Sequence, residues 1–206
     1  MRRRGVAGDE LDGGIATRRR VAAIEAYGGP RRGPGESLDA LEEAITVIRK
    51  IWSGERNLRF DGTYYRLAGA QAGPVPPHPI GIWLSAYGPK AISLTARVAD
   101  GWVPSFRGDV QQIATMSRQL DDGLATAERS PRAVRRILNA SGSITTGATI
   151  GVFNGPVGQW IDNLTEFSLS YAFDTFVFWG EGEQQLDLFA QEVVPAARAR
   201  LAAPHS

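Results

Sequence analysis

The 206-residue sequence has no cysteine, only two histidines and almost no net charge. The lack of cysteine excludes disulfide bonds and thiolate chemistry. Two histidines are too few for a histidine-rich metal site. A Ser-His-Asp triad would need His78, which lies among prolines, or His205, which is next to last in the chain. We therefore expect no metal centre and no hydrolase triad.

The charge balance and the apolar runs exclude two further classes of partner. Lys and Arg total 23 against 22 for Asp and Glu, so the net charge is +1, which gives no case for nucleic-acid binding. No apolar run approaches the ~20 residues of a membrane span. We expect a cytoplasmic protein that acts on a small-molecule substrate and binds neither nucleic acid nor membrane.

Residues 1–20 differ in composition from the rest of the chain. They carry six arginines and no aromatic residue. Asp9, Glu10 and Asp12 argue against a transit peptide, and there is no apolar stretch for a secretory signal. We expect residues 1–20 to be a disordered or non-family leader and residues 21–203 to form the domain.

A helix, a hairpin and four strand–helix units are predicted in that order along the domain. Apolar residues from Leu38 to Trp52 recur at helical spacing, and Asp61-Gly62 is typical of a hairpin turn. A helix is predicted after each of four strand candidates. These four candidates are the stretches "IGIWLSA", "GWVPS", "RRILNASGSI" and "FDTFVFW".

Strands that alternate with helices predict an α/β protein with a parallel sheet. Four such units are half of a (β/α)₈ barrel, which needs roughly 250 residues in full. The competing architecture is an open doubly wound sheet. Periodicity alone does not decide between the two.

Four stretches together resemble the luciferase-like monooxygenase family, most closely its actinobacterial branch that uses the deazaflavin coenzyme F-420. They are "GGPRRGPGESLDALEEAITVIRKIWSG", "FDGTYYRLAGA", "IGIWLSAYGPKAISLTARVADGWVPS" and "FDTFVFW". The resemblance covers roughly residues 21 to 200. It implies a partial TIM barrel, made of about the last four βα units, with a β-hairpin insertion.

The resemblance also implies a function, and alternatives to it. The expected activity is hydride transfer between coenzyme F-420 and an organic substrate. The alternative within the class is an FMN-dependent monooxygenase that uses O₂. The alternative from another class is a truncated, inactive half-barrel that only self-associates or binds a partner. We accordingly expect either a homo-oligomer or a missing N-terminal half.

The stretch "SAYGPK" is the main candidate site. In a parallel barrel the chemistry sits at the C-terminal ends of strands. A helix that begins near Pro89 would direct free backbone N–H groups and a positive dipole end toward an anion. The residues alone also fit a tight strand-to-helix turn at Gly88-Pro89 with Lys90 as a solvated surface charge. The resemblance implies that this turn holds the coenzyme's phosphate end. The candidate cofactor-binding residues are Ser85, Ala86, Tyr87, Gly88, Pro89 and Lys90.

Other candidate residues rest on location alone, and no catalytic residue is identified. Ser105, Ser141 and Trp179 lie at the ends of strands and are positioned to line the pocket. Trp102 either faces the barrel interior and lines the ring site or fills the core. Gly155-Pro156 is either a second phosphate loop or a plain helix start. Asp100 and Asp174 are interpreted as structural, and Glu181 as a weak acid–base candidate.

Overall fold

The computed structural model describes residues 24–203, and the expected leader at residues 1–20 lies outside them. The chain divides into two compact units, Met1–Pro74 and Val75–Ser206. Each unit is described by itself.

The first unit contains helix α1, Pro34–Trp52. Pro34 occupies a first-turn position where its missing N–H is no loss, and the Glu36 carboxylate accepts a hydrogen bond from the Gly33 N–H at 2.7 Å. Ala40 and Ile45 are buried on one face. This helix matches the prediction from the spacing of Leu38 to Trp52.

A hairpin of β1, Leu58–Asp61, and β2, Arg66–Ala70, follows α1. The Glu43 carboxylate on α1 accepts hydrogen bonds from the backbone N–H groups of Thr63, Tyr64 and Tyr65 at 2.8 to 3.0 Å. Burial raises the pKa of Glu43. The three amides and the nearby Arg32 charge outweigh that effect and lower the pKa below its ordinary value.

The lowered pKa of Glu43 predicts an acid-dependent loss of stability. A carboxyl whose folded pKa is depressed contributes stability above its unfolded pKa and loses it as the pH falls through the folded value. The free energy of unfolding, measured with urea, should therefore fall more steeply on acidification for wild type than for Glu43→Gln. Glu55→Gln, at an exposed carboxylate with no hydrogen-bond partner among the described residues, is the control. An equal loss of stability at acid pH in wild type and Glu43→Gln would contradict the lowered pKa of Glu43.

Two tyrosines of the hairpin contact one arginine. The guanidinium of Arg32 lies 5.1 Å from the ring centroid of Tyr64 and 5.8 Å from that of Tyr65. This geometry is a cation–π contact. Arg32 is thus a packing residue of the hairpin rather than a freely solvated charge.

The second unit alternates strands and helices. Its elements are β3, Trp83–Leu84; α2, Pro89–Val98; β4, Gly101–Trp102; α3, Val110–Thr126; β5, Arg135–Ser141; β6, Ser143–Ile144; β7, Asn154–Gly155; α4, Val157–Tyr171; β8, Thr175–Trp179; α5, Glu183–Leu188; a π-helix, Phe189–Val193; and α6, Val194–Ala202.

The sheet of the second unit has the order β3-β4-β5-β8, and every pair in it is parallel. The strand order follows the chain in one direction, whereas a doubly wound sheet reverses its order at a switch point. A one-directional order with helical crossovers is that of a TIM barrel. The structure therefore favours the partial barrel over the open sheet.

The core of this unit lies between the sheet and its helices. Leu138 and Ala140 of β5 belong to it. Trp160 is fully buried and contacts the rings of Phe153, Phe178 and Phe189 at 4.9 to 6.0 Å between centroids. Because side chains alternate along a strand, Asn139 and Ser141 lie on the other face of the sheet from Leu138 and Ala140.

Three features differ from the sequence-based expectation. A near-continuous apolar run such as residues 80–86 is typical of a strand buried on both faces, but the strand has two residues and Trp83 is 53% exposed. The reason is that β3 pairs with β4 alone among the described strands. The third strand candidate, residues 135–144, is divided into β5 and β6, and β6 pairs with β7 rather than continuing β5. Neither β7 nor the π-helix had a signal in the sequence.

Arg129 joins the end of α2 to the start of β5. Its guanidinium donates to the carbonyls of Ala96 and Ala99 at 2.7 and 2.9 Å, and to Ala133 at 3.3 Å. Carbonyls at a helix C-terminus have no partner within the helix, so this side chain satisfies them.

Replacing Arg129 by methionine is expected to destabilise the protein. Methionine keeps an apolar stem but leaves these carbonyls without their charged donor, which costs about 1–3 kcal/mol of unfolding free energy. Urea denaturation followed by circular dichroism measures the loss. Arg132→Met, at an exposed position three residues along, should change stability by under about 0.5 kcal/mol. Equal losses in the two variants would contradict the role of Arg129.

Candidate functional site

The candidate site lies where the parallel strands of the second unit end. The loop after β3 contains Ser85 to Gly88, the loop after β4 contains Ser105, and β5 and β8 end at Ser141 and Trp179. Carboxyl ends of parallel strands meet at one edge of a sheet, which is where barrel enzymes carry their chemistry. The fold therefore brings the predicted residues to one edge.

The "SAYGPK" turn has the geometry of an anion-binding helix start. Helix α2 begins at Pro89, and no side chain caps its first turn. Gly88 has φ −88°, and a Cβ placed there would meet no atom within 4 Å. The protein's own packing therefore does not require glycine at this position. The open space beside uncapped amides fits a phosphate group.

Two cations lie near this turn. Lys90 is exposed in the first turn of α2. The guanidinium of Arg107 lies 4.4 Å from the ring centroid of Tyr87. Neither Lys90 nor Arg107 has a carboxylate partner among the described residues. Uncompensated positive charge of this kind favours an anionic ligand.

Tyr87 is held by the neighbouring strand end. Its hydroxyl accepts a hydrogen bond from the Ser105 N–H at 2.8 Å, and the Ser85 hydroxyl lies 3.5 Å away. Burial raises the pKa of the Tyr87 phenol. Its hydrogen bonds with Ser85 and Ser105 and the charge of Arg107 outweigh burial and lower the pKa below its ordinary value. These contacts fix the tyrosine beside the turn.

The stretch "ADGW", residues 99–102, contacts both β3 and the "SAYGPK" turn. The Asp100 carboxylate accepts the Ile82 N–H at 2.8 Å and joins β4 to β3. A Cβ at Gly101 would lie 2.6 Å from the Trp83 ring, so glycine makes room for that indole. Trp102 is fully buried and donates its indole N–H to the Ala86 carbonyl at 2.9 Å. The structure thus places Trp102 in the core, where it positions the turn.

A chain of hydrogen bonds crosses the strand ends. The Asn139 side chain donates to Ser105 Oγ at 3.4 Å and accepts the Trp179 indole N–H at 3.1 Å. Ser105 in turn donates its backbone N–H to Tyr87. Sequence reasoning missed Asn139 and Arg107. The one available signal for Asn139 was a polar residue inside the apolar stretch "RILNA".

Among the described residues, the remaining candidates add no side-chain hydrogen bond to this chain of contacts. Ser141 is exposed and pairs with Trp179 through the ladder. Glu181 is exposed after β8. Asp174 lies at the opposite end of β8, where its carboxylate contacts Arg135 and Thr175. That position fits the structural interpretation of Asp174.

The second candidate helix start, at Gly155-Pro156, is covered by a side chain. A Cβ at Gly155 would fall 1.7 Å from Gln159 Oε1. Gln159 also donates to the Val152 carbonyl at 2.9 Å and accepts the Thr149 hydroxyl at 2.7 Å. This arrangement favours the plain helix start over a phosphate loop.

A cavity of about 470 Å³ lies at the other end of the sheet. Its wall includes Arg135, Asp174 and Thr175, beside Phe173 and Phe176. These residues surround the N-terminal ends of β5 and β8, the end that serves stability in barrels. We therefore place the candidate site at the opposite edge.

Two features are absent from residues 24–203. In that part of the chain no helix combines the length and apolarity needed to cross a bilayer. The same residues hold no group of three or more His, Asp or Glu side chains placed to bind a metal ion.

Comparisons with known proteins assign the family. Residues 11–149 match the family described as luciferase-like monooxygenase. The F420-dependent glucose-6-phosphate dehydrogenase of Microbacterium testaceum is 35% identical over 96 residues, which cover 46% of this chain and 28% of that protein. The F420-dependent hydroxymycolic acid dehydrogenase of Mycobacterium tuberculosis is 34% identical over 123 residues, which cover 57% and 32%.

Solved structures agree with the fold. An F420-dependent secondary alcohol dehydrogenase in complex with an F420-acetone adduct superposes with a TM-score of 0.71 at 15% identity, covering 85% of this chain and 66% of that one. The EDTA monooxygenase of Chelativorans sp. BNC1 gives 0.71 at 14% identity, covering 89% and 64%. At these identities the likeness concerns the fold alone.

The one-directional parallel sheet and its site edge define a partial α/β barrel, and the family match covers more than half of the chain. The chain belongs to the luciferase-like monooxygenase family. The predicted family and the predicted partial barrel are confirmed. The chain spans about a third or less of the length of the two curated relatives. The boundary at residue 21 stays a prediction, and the family match begins before it.

Proposed function

We propose that this chain is part of a cytoplasmic oxidoreductase that transfers hydride between coenzyme F-420 and a small organic substrate. The observation that carries the proposal is the uncapped start of α2, with open space at Gly88 and Lys90 beside it. The names of the curated relatives support the choice of coenzyme, since both are F420-dependent dehydrogenases.

Each residue of the turn has a role in this proposal. The backbone N–H groups of Lys90 and Ala91 and the Lys90 ammonium bind the phosphate. Ala86 is buried and anchored by Trp102, so the turn is preorganised. Bound there, a deazaflavin supplies a hydride-carrying ring, and the protein supplies position and electrostatics.

The FMN-dependent monooxygenase remains the alternative within the class. FMN also carries a phosphate, so the same turn could hold it. The two proposals differ in chemistry, because a deazaflavin carries hydride and reacts poorly with O₂, whereas a reduced flavin reacts with it. The description of the matching family as luciferase-like monooxygenase supports this second candidate.

An activity assay tests the proposal. Purified protein is incubated anaerobically with reduced coenzyme F-420 and a panel of ketones and aldehydes, and in reverse with oxidised coenzyme and secondary alcohols. We expect coenzyme turnover with at least one substrate class, which Gly88→Val abolishes or weakens. Turnover of reduced FMN with O₂ in place of F-420 would favour the monooxygenase. No turnover in either assay would contradict both.

Self-association is a second proposal. It corresponds to the sequence-based alternative of a half-barrel that self-associates or binds a partner. Trp83 is 53% exposed on β3, Val177 is 38% exposed on β8, and each of these strands has one partner strand among the described residues. Unpaired strand edges with apolar side chains favour pairing with another chain. Light scattering on a sizing column should show a dimer or larger species. A monodisperse monomer would contradict this proposal without affecting the coenzyme site.

A further inference from the structure

Trp179 is a large apolar side chain that faces solvent at the end of β8. Trp179 is 61% exposed. The preceding residue, Phe178, packs against the core, where its ring stacks on that of Phe189 with centroids 4.4 Å apart. Alternation along the strand therefore directs Trp179 to the other face of the sheet. The fold leaves this indole outside the core.

The exposed indole is nevertheless fixed in orientation. Its N–H donates to Asn139 Oδ1 at 3.1 Å. The Asn139 backbone is itself held on both sides, because its N–H donates to the Pro104 carbonyl at 2.9 Å and its carbonyl accepts the Phe106 N–H at 3.0 Å. The amide that orients the indole is thus part of a rigid strand, not of a mobile loop.

The neighbours of Trp179 on its face of the sheet are small. Ser141 lies opposite it in the ladder, and Ser105 Oγ accepts from the same Asn139 side chain. Val177, two residues earlier on the same face of β8, is apolar and 38% exposed. One oriented ring beside small side chains differs from a broad apolar surface of the kind that binds another protein. Rings of this kind bind flat partners by stacking, and prior fixation lowers the entropic cost of binding.

We propose that Trp179 is a stacking surface for a planar conjugated ring, and that Asn139 is the positioning residue that orients it. The inference rests on the proposed function for its location at the coenzyme edge of the sheet. A planar ring belongs both to a flavin-type coenzyme and to an aromatic substrate. The shared chemistry is a flat π-system, and the test separates its two sources.

The first arm of the test titrates the protein with riboflavin, which has the flavin ring and no phosphate. Trp179→Leu is expected to weaken riboflavin binding roughly three- to tenfold, because leucine is apolar but cannot stack. Trp179→Phe keeps a ring but has no N–H for Asn139, so it should lose less affinity than Trp179→Leu, about threefold. The second arm saturates the protein with FMN and titrates it with 2-naphthol, a planar aromatic alcohol.

The Asn139 variants test orientation rather than contact. Asn139→Leu has a similar volume and no acceptor, so the indole is released and affinity should fall about threefold. Asn139→Asp restores an acceptor oxygen for the indole N–H and should recover affinity to within about twofold. A residue needed only for folding would show the loss in both variants and in the unfolding midpoint.

The outcomes separate the possibilities. If Trp179→Leu weakens riboflavin binding, the surface is assigned to the coenzyme ring. If it weakens only 2-naphthol binding, the surface is assigned to an aromatic substrate. Insensitivity of both ligands, or no binding of either to wild type, overturns the proposal. Failure of the proposed phosphate site looks different, since FMN and riboflavin would then bind equally well while Trp179→Leu could still weaken both.

Discussion

Gly88→Val is expected to weaken FMN binding by roughly ten- to a hundredfold. A phosphate at the start of α2 accepts charge-assisted hydrogen bonds, each worth about 1.5–3 kcal/mol, and every 1.4 kcal/mol is tenfold in affinity. The valine side chain would fill the open space beside the Lys90 and Ala91 amides. It would exclude the phosphate, while its Cβ meets no atom of the protein within 4 Å.

The same variant should leave the fold unchanged. Gly88 has a negative φ, and no atom lies within 4 Å of an added Cβ, so a side chain here meets neither left-handed backbone strain nor a clash at Cβ. Isothermal calorimetry measures FMN affinity, and thermal unfolding measures stability. Gly147→Val is the matched control, because Gly147 also has open space and lies outside the positive-φ set. Unaltered FMN affinity in Gly88→Val would exclude phosphate binding at this turn.

Trp102→Ala is expected to lower the free energy of unfolding by about 3–5 kcal/mol, the range for removing a buried large aromatic side chain. Trp102 is fully buried, stacks on Phe173 at 5.6 Å between centroids, and donates to the Ala86 carbonyl. The loss combines a cavity in the core with an unsatisfied carbonyl beneath the turn.

Trp102→Phe separates these two contributions. Phenylalanine keeps a ring against Phe173 but has no N–H for Ala86, so we expect a smaller loss, about 1–3 kcal/mol. Because Ala86 begins the turn that carries Gly88, this variant should also weaken FMN binding. Chemical denaturation and an FMN titration are measured on the same samples. Weakened stability with full FMN affinity would show that Trp102 supports the core but not the turn.

The sequence predicted the candidate turn from local pattern. An apolar run that stops at "SAYGPK" before a helix with Pro89 in its first turn indicates a strand, a loop and a helix start. The structure has these elements in that order. The turn was recognisable because every residue that forms it lies within a few positions along the chain.

The partners of the turn could not be read from the sequence. Asn139 contacts Ser105 and Trp179, which are 34 and 40 residues away along the chain. Arg107, in the loop after β4, contacts Tyr87 in the loop after β3. These contacts depend on the register of parallel strands, which a single strand pattern does not specify. The same limit explains Trp83. Its apolar neighbours suggested burial, and its exposure depends on which strands lie beside β3.

The most direct test of the coenzyme site is the ratio of the dissociation constants of riboflavin and FMN for the wild-type protein, measured beside a titration with coenzyme F-420. The two flavins differ only in the phosphate that the turn is proposed to hold. We expect FMN to bind at least about tenfold more tightly than riboflavin, and F-420 to bind saturably. Equal affinities for FMN and riboflavin, or no binding of FMN and F-420, would contradict the proposal that "SAYGPK" holds the phosphate of the coenzyme.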